Sequence, residues 1–359
     1  MKKITIFFFI LSLITVNIHA QSIWDISHLA YVKQSLSQPV YSIAYKQLIE
    51  DAETELKEIP LSVTMKEETP ASGDKHDYMS QARYYWPDPK QANGKPYISR
   101  DGLSNPELEK LDRARMGKMS NSVITLSLAY YFSGEEKYAR KATELIRVWF
   151  LDKPTRMNPN LNYAQTVPGK YNDQGRCYGI IDSYSFVGML EAIPLLKQSK
   201  AFTSADSQQL KDWFSQFLEW LLTSNQGQEE SRQKNNHSVA YDAQIISFAL
   251  YTGNRSIAEK YIRSFPQKRI YAQIEADGKQ LQELRRTLAF GYSLFNLNHM
   301  TDVFLMAKEQ GINIDKCTSQ DGRSFYKAVD FLAEYLGKSI TQWPYKQISE
   351  WSTKQQEFS

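Results

Sequence analysis

Apolar residues recur at helical spacing along almost the whole chain. The clearest example is a set whose members are three or four residues apart: Met116, Met119, Val123, Leu126 and Tyr130. This spacing places all of them on one face of an α-helix. The same spacing predicts further helices over residues 135–150, 180–196, 203–221, 237–251, 257–274, 287–310 and 324–336. Because strand patterns are sparse, we predict an all-α protein.

The predicted helices follow one another with short turns between them, which is typical of paired antiparallel helices wound into a ring or bundle. An incomplete α/α toroid, or α/α barrel, would close such a chain around a cleft, but the periodicity fits a helical solenoid equally well. No shift in composition marks a domain boundary. We therefore expect residues 21–359 to form a single domain.

The N-terminus has the pattern of a secretory signal peptide. Lys2 and Lys3 precede an apolar run over residues 4–16, and Ala20 supplies a small residue at the predicted cleavage point. The run is short for a membrane span, and no cysteine follows Ala20 to carry a lipid. We expect residues 1–20 to be removed and the protein to be exported to the periplasm without a membrane span. An uncleaved N-terminal anchor is the alternative.

The charge of the chain limits its partners. Without the leader the net charge falls from +3 to +1, because Lys2 and Lys3 are lost. Nucleic-acid-binding proteins usually carry a basic excess, so we expect no nucleic-acid partner. A few arginines in one cleft would still bind an acidic polymer. Aromatic residues make up 13% of the chain, enough to fill a core and also to line a sugar-binding cleft.

Cysteine and histidine give no sign of a metal ion or a cofactor. Cys177 and Cys317 are the only cysteines in the sequence, and they form either one disulfide or two separate thiols. The histidines that follow the leader show no pairing at metal-ligand spacing. We therefore expect neither a metal nor a cofactor.

Two long segments, Arg83–Gly102 and Pro154–Arg176, interrupt the helical pattern. Both are rich in Pro, Gly, Asn and aromatic residues, and loops of this length are usually functional or disordered. Their aromatic content argues against disorder. The first loop begins with Arg83, Tyr84, Tyr85 and Trp86. In such a run the arginine would bind a carboxylate and the aromatic rings would stack on a sugar. The alternative is that the aromatic residues are buried and only anchor the loop.

Lys234, Asn235, Asn236 and His237 stand at the start of a predicted helix. Either asparagine would serve as a helix cap. His237 is a candidate catalytic base, and a structural histidine is the alternative. A further helix start, around Arg176, Tyr178 and Asp182, favours anions, although Asp182 also suits an ordinary first-turn position.

A second cluster contains Arg285, Arg286 and Tyr292, just after Glu283. Seven residues separate Arg285 from Tyr292, so both would share one face of a helix that extended back to Arg285. An arginine beside a tyrosine would lower the pKa of the phenol from about 10. The alternative is a pair of surface arginines and a core tyrosine.

Together, these groups resemble the alginate-lyase-like α/α-toroid families, polysaccharide lyase family 38 and the related family 5 of periplasmic alginate lyases. The resemblance is carried by Arg83–Pro89, Gly179–Asp182, Asn235–His237 and Ala276–Leu297, and covers most of residues 80–300. It implies an incomplete α/α toroid. The run Ala289–Ser293 lacks the histidines usual in family 5, which favours family 38.

The resemblance also implies the catalytic residues. The family's Asn-His pair falls on Asn236 and His237, its tyrosine on Tyr292, and its arginine on Arg285 or Arg286. In such a lyase, Asn236 and the arginine neutralise a uronate carboxylate while the C5 proton is removed. Tyr292 protonates the leaving O4, and it also takes the proton when both lie on one face of the sugar. His237 is the natural base when they lie on opposite faces.

The implied reaction is β-elimination of a uronic-acid polymer, alginate (polymannuronate or polyguluronate) or glucuronan, with 4,5-unsaturated uronate ends. The substrate-binding candidates are Arg83, Tyr84, Tyr85, Trp86, Arg176, Tyr178, Lys234 and Asn235. One rival is an α/α-toroid glycoside hydrolase, which needs two facing carboxylic acids. Its available acids, with no persuasive pair among them, are Asp88, Asp173, Asp182 and Glu283. The other rival is a non-catalytic glycan-binding protein.

Overall fold

Helices make up most of residues 23–359, the part of the chain that the computed structural model describes. The predicted signal peptide, residues 1–20, lies outside the described residues. In chain order, the α-helices are α1 (Ile26–Gln34), α2 (Pro39–Glu55), α3 (Asp112–Ser133), α4 (Glu136–Ile146), α5 (Ser185–Ala192), α6 (Ser204–Thr223), α7 (Asn225–Ser231), α8 (Asn236–Thr252), α9 (Arg255–Phe265), α10 (Tyr271–Gln273), α11 (Leu281–Leu284), α12 (Ala289–Glu309), α13 (Phe325–Ala333) and α14 (Trp351–Phe358). The all-α prediction is confirmed.

Local sequence explains where several helices begin and end. The predicted apolar face of α3, from Met116 to Tyr130, is buried. The helix ends at Ser133 and is capped by Gly134, whose left-handed φ of 75° suits glycine. At the start of α6, the Thr203 hydroxyl accepts a hydrogen bond from the Asp206 amide at 3.1 Å, while Asp206 accepts one from the Thr203 amide at 2.9 Å. This reciprocal capping box confirms the predicted helix start.

Several predicted helices are interrupted. The segment predicted over 180–196 consists of 3₁₀ turns, Cys177–Tyr184 and Ile193–Gln198, on either side of α5. After α9 the chain forms a π-helical turn, Pro266–Ile270, because proline lacks the N–H that the α-helical ladder requires. A second π turn, Arg147–Leu151, extends α4. The remaining 3₁₀ turns are Val63–Met65, Pro106–Lys110, Tyr171–Asp173 and Ile340–Gln342.

Helix α8 lies at the centre of the fold. It contacts α5, α6, α9 and α12, and from Asn236 to Ala249 every residue except His237 is buried. A helix that is buried around its whole circumference belongs to the core rather than to an outer layer. The surrounding helices therefore fix the position of its N-terminal end, where Asn236 and His237 lie.

Two pairs of short strands shape the segments that interrupt the helices. β1 (Met79–Gln81) pairs in parallel with β4 (Tyr163–Thr166), and β2 (Tyr85–Trp86) pairs antiparallel with β3 (Ile98–Ser99). Strands of two to four residues are too short to show an alternating pattern, so the sequence did not predict them. The β1–β4 pair joins the segment just before the first predicted loop to the second predicted loop.

Cys177 and Cys317 are free thiols, which makes the disulfide alternative wrong. The described segment Cys177–Gln198 is long and apolar enough to cross a membrane by length and composition, a feature that the sequence reasoning overlooked. However, 72% of its apolar window is buried inside the fold. Such burial is typical of a core segment.

Candidate active site

A cleft of about 420 Å³ opens at the N-terminal end of α8. Its lining includes many of the residues selected from the sequence: Arg83, Tyr84, Tyr85, Arg176, Tyr178, Asn235, Asn236, His237, Arg286 and Tyr292. It also includes residues that the sequence reasoning did not select: Ala82, Ser99, Asp101, Arg113, Gln165, Ile181 and Phe295. Segments far apart in the chain thus meet at one concave surface.

Three residues selected from the sequence, Trp86, Lys234 and Arg285, do not line this cleft. The Trp86 indole donates to the Leu103 carbonyl at 2.9 Å, so its ring anchors the loop. Lys234 and Arg285 are exposed. The expected placement of these three side chains in the site is therefore corrected.

Arg286, rather than Arg285, occupies the cleft. Helix α12 begins at Ala289 and does not extend back to the two arginines, so the argument from helical spacing was wrong. Arg286 Nη2 instead donates to Asp101 Oδ1 at 2.6 Å and to Tyr292 Oη at 3.0 Å. Burial lowers the pKa of Arg286, but the hydrogen bond to Asp101 and the attraction to its charge outweigh burial and raise the pKa above its usual value. The site therefore holds a permanent, fixed cation beside the tyrosine.

Tyr292 is protonated in the resting site. Its Oη lies 2.6 Å from Tyr84 Oη. Burial, followed by the interaction with Tyr84, raises the pKa of Tyr292 well above its usual range, and the Arg286 guanidinium only partly offsets this. The predicted lowering of this pKa is wrong, because desolvation of the phenolate outweighs the attraction of the guanidinium.

His237 is oriented by a buried carboxylate. Its Nδ1 lies 2.6 Å from Glu230 Oε1 on α7, and the Glu230 side chain is fully buried. The Tyr178 ring meets the imidazole edge-on at 5.0 Å between centroids. With Nδ1–H donated to Glu230, the lone pair of the neutral imidazole is on Nε2. This is the tautomer that a proton-accepting histidine requires.

Asn236 is held by a second buried carboxylate, Glu283. Asn236 Nδ2 donates to Glu283 Oε2 at 2.8 Å, and its backbone amide donates to Glu283 Oε1 at 2.7 Å. Burial raises the pKa of Glu283, while the hydrogen bonds from Asn236 lower it in part. Glu283 thus stands behind Asn236 and fixes the amide plane, with one N–H used and the second available as a donor.

Arginine and aromatic side chains form one wall of the cleft. The Arg176 guanidinium lies 5.1 Å from the ring centroids of both Tyr85 and Tyr178. Arg176 Nε also donates to the Gln165 carbonyl at 3.0 Å. Planar cations stacked on rings keep their outward N–H groups free for a carboxylate, and the rings offer faces to a sugar.

Asp182 organises residues that the sequence reasoning missed. Its Oδ1 lies 3.5 Å from Arg113 Nε and accepts from Gln165 Nε2 at 3.0 Å. Ser80 Oγ donates to its Oδ2 at 2.6 Å. Attraction to Asp182 raises the pKa of Arg113. Asp182 is therefore a buried support for these side chains, and not merely the first-turn acid considered from the sequence.

Gln165 is a buried cleft residue with a left-handed backbone, at φ 50°. This conformation is uncommon for residues other than glycine and is found at sites where the surrounding contacts hold it in place. Here the hydrogen bonds to Asp182 and from Arg176 do so. No pattern in the sequence signals such a conformation.

The described residues contain no group of three or more His, Cys, Asp or Glu side chains that could hold a metal ion. The groups available for chemistry in this part of the chain are instead a fixed guanidinium, an amide donor, an imidazole held at Nδ1 and a protonated phenol. These groups can neutralise an anion, accept a proton and donate one. The absence of a metal and of a cofactor stays a prediction.

Comparison with known proteins identifies the family. The alginate lyase family model matches residues 62–342. A solved alginate lyase from Bacteroides ovatus is 53% identical, with a TM-score of 0.91, over 92% of this chain and 87% of that chain. Among curated proteins, none matches the chain.

More distant solved structures share the fold. Alginate lyase A1-III from Sphingomonas species A1 is 16% identical, with a TM-score of 0.53, over 84% of this chain and 81% of that chain. A variant of alginate lyase A1-III complexed with a tetrasaccharide is 15% identical, with a TM-score of 0.53, over 83% of this chain and 78% of that chain. This likeness confirms the predicted α/α toroid.

The resemblance found in the sequence is therefore confirmed, while the preference for family 38 over family 5 stays a prediction. The family model spans most of the chain, and the Bacteroides ovatus enzyme is similar over nearly all of it. The chain belongs to the alginate lyase family, and is a polysaccharide lyase.

Proposed function

We propose that this protein cleaves alginate by β-elimination and leaves 4,5-unsaturated uronate ends. The observation that carries the proposal is the charge of the cleft. Arg83, Arg113, Arg176 and Arg286 line it, while Asp101 is the single acidic residue in its described lining. A cleft with this excess of guanidinium groups attracts a polymer that bears one carboxylate per sugar.

The side chains support a reaction without a covalent intermediate. The uronate carboxylate accepts hydrogen bonds from Asn236 and Arg286, which stabilise the negative charge that develops as the C5 proton leaves. The C5–H electron pair forms the C4–C5 double bond, and the C4–O4 bond breaks. Tyr292, being protonated, supplies a proton to O4. The products are an unsaturated uronate end and a new free hydroxyl.

The identity of the base depends on the configuration of the sugar. When the C5 proton and O4 lie on opposite faces, His237 Nε2 accepts the proton. When they lie on the same face, Tyr292 acts as the base only in its phenolate form, and the phenol made by taking the C5 proton then protonates O4. The raised pKa of Tyr292 disfavours this second route. Mannuronate and guluronate differ in configuration at C5, so substrate preference and the choice of base are linked. Glucuronan is an alternative substrate with the same recognisable carboxylates.

The glycoside hydrolase alternative is disfavoured by the positions of its acids. Asp182 and Glu283 are buried behind other side chains, and neither Asp88 nor Asp173 lines the cleft. Asp101 is paired with Arg286. Hydrolysis would need two carboxyl groups that both reach the glycosidic bond.

We further propose that residues 21–359 act as one domain and that the protein is exported to the periplasm.

The test measures absorbance at about 235 nm, where a conjugated unsaturated uronate absorbs. The substrates are polymannuronate, polyguluronate, glucuronan and a neutral glycan. We expect a rise with at least one alginate block. Tyr292→Phe removes the proton donor and should lower kcat by about 10²- to 10⁴-fold. Tyr171→Phe is the matched control, because Tyr171 is 60% exposed and lies outside the cleft lining.

Each result distinguishes the alternatives. Full activity of Tyr292→Phe would overturn the assignment of the proton donor. New reducing ends without absorbance would indicate a hydrolase. Binding of a polymer without any product would indicate a glycan-binding protein.

A further inference from the structure

A second cavity, of about 860 Å³, adjoins the active-site cleft. Arg83 and Arg113 line both spaces, so the cleft continues past these two side chains. The second cavity is further lined by Glu55, Ser104, Glu109, Gly117, Lys118 and Asn121. Its volume lies within the range of about 300–1,000 Å³ that is typical of ligand sites.

Gly117, in the interior of α3, has no side chain and therefore leaves open space along one wall of this cavity. Arg113, Gly117 and Asn121 are each four residues apart, so they lie along one face of the helix. A Cβ atom added at Gly117 would meet nothing within 4 Å, and its backbone is helical. Neither packing nor conformation therefore requires glycine here, although glycine weakens a helix relative to alanine.

The polar groups of the cavity suit a sugar acid at one end and hydroxyl groups at the other. Arg83 Nε donates to Ser104 Oγ at 2.7 Å, an arrangement that engages one of the guanidinium donors and leaves the Nη groups for a ligand. Lys118 is already paired with Glu58 at 2.7 Å. Glu55 and Glu109 add negative charge, so a carboxylate fits best beside the two shared arginines.

We propose that this cavity is an additional subsite for the polymer, in which a uronate residue beyond the cleaved linkage places its carboxylate at Arg83 and Arg113 and its ring over Gly117. The proposal rests on the proposed function. The subsite would contribute to binding of long chains, and it would be dispensable for substrates too short to reach it.

The test compares Gly117→Phe, which fills the space over the helix, with Gly117→Ala, which adds one methyl group. For Gly117→Phe we expect KM for the polymer to rise about tenfold or more. For a uronate trisaccharide, which is too short to reach the cavity, kcat/KM should stay within about twofold of the value for the unaltered protein. For Gly117→Ala we expect a Tm higher by about 1–3 °C, since alanine favours the helix, with a smaller effect on KM. Gln208→Phe, on exposed α6 surface, controls for an added aromatic ring.

The outcomes separate the two proposals. If Gly117→Phe is folded and cleaves polymer and trisaccharide as the unaltered protein does, the subsite is refuted while the lyase activity stands. Equal losses on both substrates would also refute it, because the effect would then belong to the catalytic centre. Absence of product from the unaltered protein on every uronate polymer would instead refute the proposed function.

Discussion

At the scale of single residues, four of the groups that face the cleft are each supported by a carboxylate behind them. The pairs are His237 with Glu230, Asn236 with Glu283, Arg286 with Asp101, and Arg113 with Asp182. A supported side chain loses little freedom when substrate binds, so its position is set before the reaction. The supporting carboxylates are harder to recognise in the sequence than the groups they hold, and each can be tested by its own substitution.

Glu230→Gln tests the support behind His237. A glutamine amide can donate to Nδ1, which moves the imidazole proton to Nε2 and removes the lone pair from the cleft. We expect kcat to fall by about 10- to 100-fold with little change in KM, and the pH profile of kcat to shift. The measurement is the initial rate of absorbance increase across a pH series.

Glu229→Gln is the matched control for this variant. Glu229 is the exposed neighbour of Glu230 on α7, so its substitution makes the same chemical change without touching the imidazole. Equal rates and pH profiles for the two variants would show that Glu230 does not set the state of His237.

Motif residues were predictable from the sequence, whereas their supports were not. Asn236 and His237 are adjacent in the chain and stand at a recognisable helix start. Asp101 precedes Arg286 by 185 residues, and Asp182 follows Ser80 by 102. Helical periodicity shows which face of each segment is apolar, but it does not show which distant polar side chains will meet.

At the scale of elements, short segments connect the central helix to its catalytic surroundings. Helix α7 carries Glu230 and lies between α6 and α8, so its position determines the distance from Glu230 to His237. Long helices such as α3 were predicted closely, because many apolar residues repeat the period. The π turns and the β1–β4 pair were missed, because segments of three to five residues carry too few positions to show a period.

Gly227→Ala tests how tightly α7 is held. A Cβ atom at Gly227 would lie 1.8 Å from the Leu221 carbonyl oxygen at the end of α6. Because one of the two helices must move, we expect the free energy of unfolding to fall by about 1–3 kcal/mol. We also expect kcat to fall, since Glu230 moves with α7. Urea unfolding and the rate of product formation measure the two effects.

Gly188→Ala on α5 provides the comparison. There, the added Cβ atom would make an ordinary contact at 3.5 Å with Ile124 Cδ1, and alanine favours a helix. Its free energy of unfolding should stay the same or increase. If Gly227→Ala behaved like Gly188→Ala, the close approach of α6 and α7 would not constrain the site.

At the scale of the whole molecule, the toroid gathers distant segments around the N-terminal end of α8 and buries titratable groups in doing so. His299 on α12 is one such group. It is 3% exposed, and its ring meets those of Tyr184 and Phe295 edge-on, at 4.1 Å between centroids in each case. Burial is the main cause that lowers the pKa of His299 to about 3.

Glu191 on α5 is a buried group with the opposite linkage. It is 2% exposed, and it accepts a hydrogen bond from the Ile23 amide at 3.0 Å. Burial raises the pKa of Glu191 to about 7, while the backbone hydrogen bonds lower it in part. In the folded protein the Glu191 carboxyl group therefore keeps its proton at pH values where the unfolded chain has released it.

These two groups make the stability of the protein depend on pH in opposite directions. Below pH 6.5, the unfolded chain protonates His299 while the folded chain does not, so His299 makes the protein less stable as pH falls from about 6.5 towards 3, by up to about 1.4 kcal/mol per unit. The stability that Glu191 contributes is complete below about pH 4.5 and is lost as pH rises through about 7.

Urea unfolding of His299→Leu and Glu191→Gln between pH 4.5 and 7.5 measures the contribution of each residue separately. Relative to His299→Leu, the unaltered protein should lose stability as pH falls, and relative to Glu191→Gln it should lose stability as pH rises. A stability difference that stays constant with pH in either comparison would show that the residue concerned titrates alike in the folded and unfolded chains.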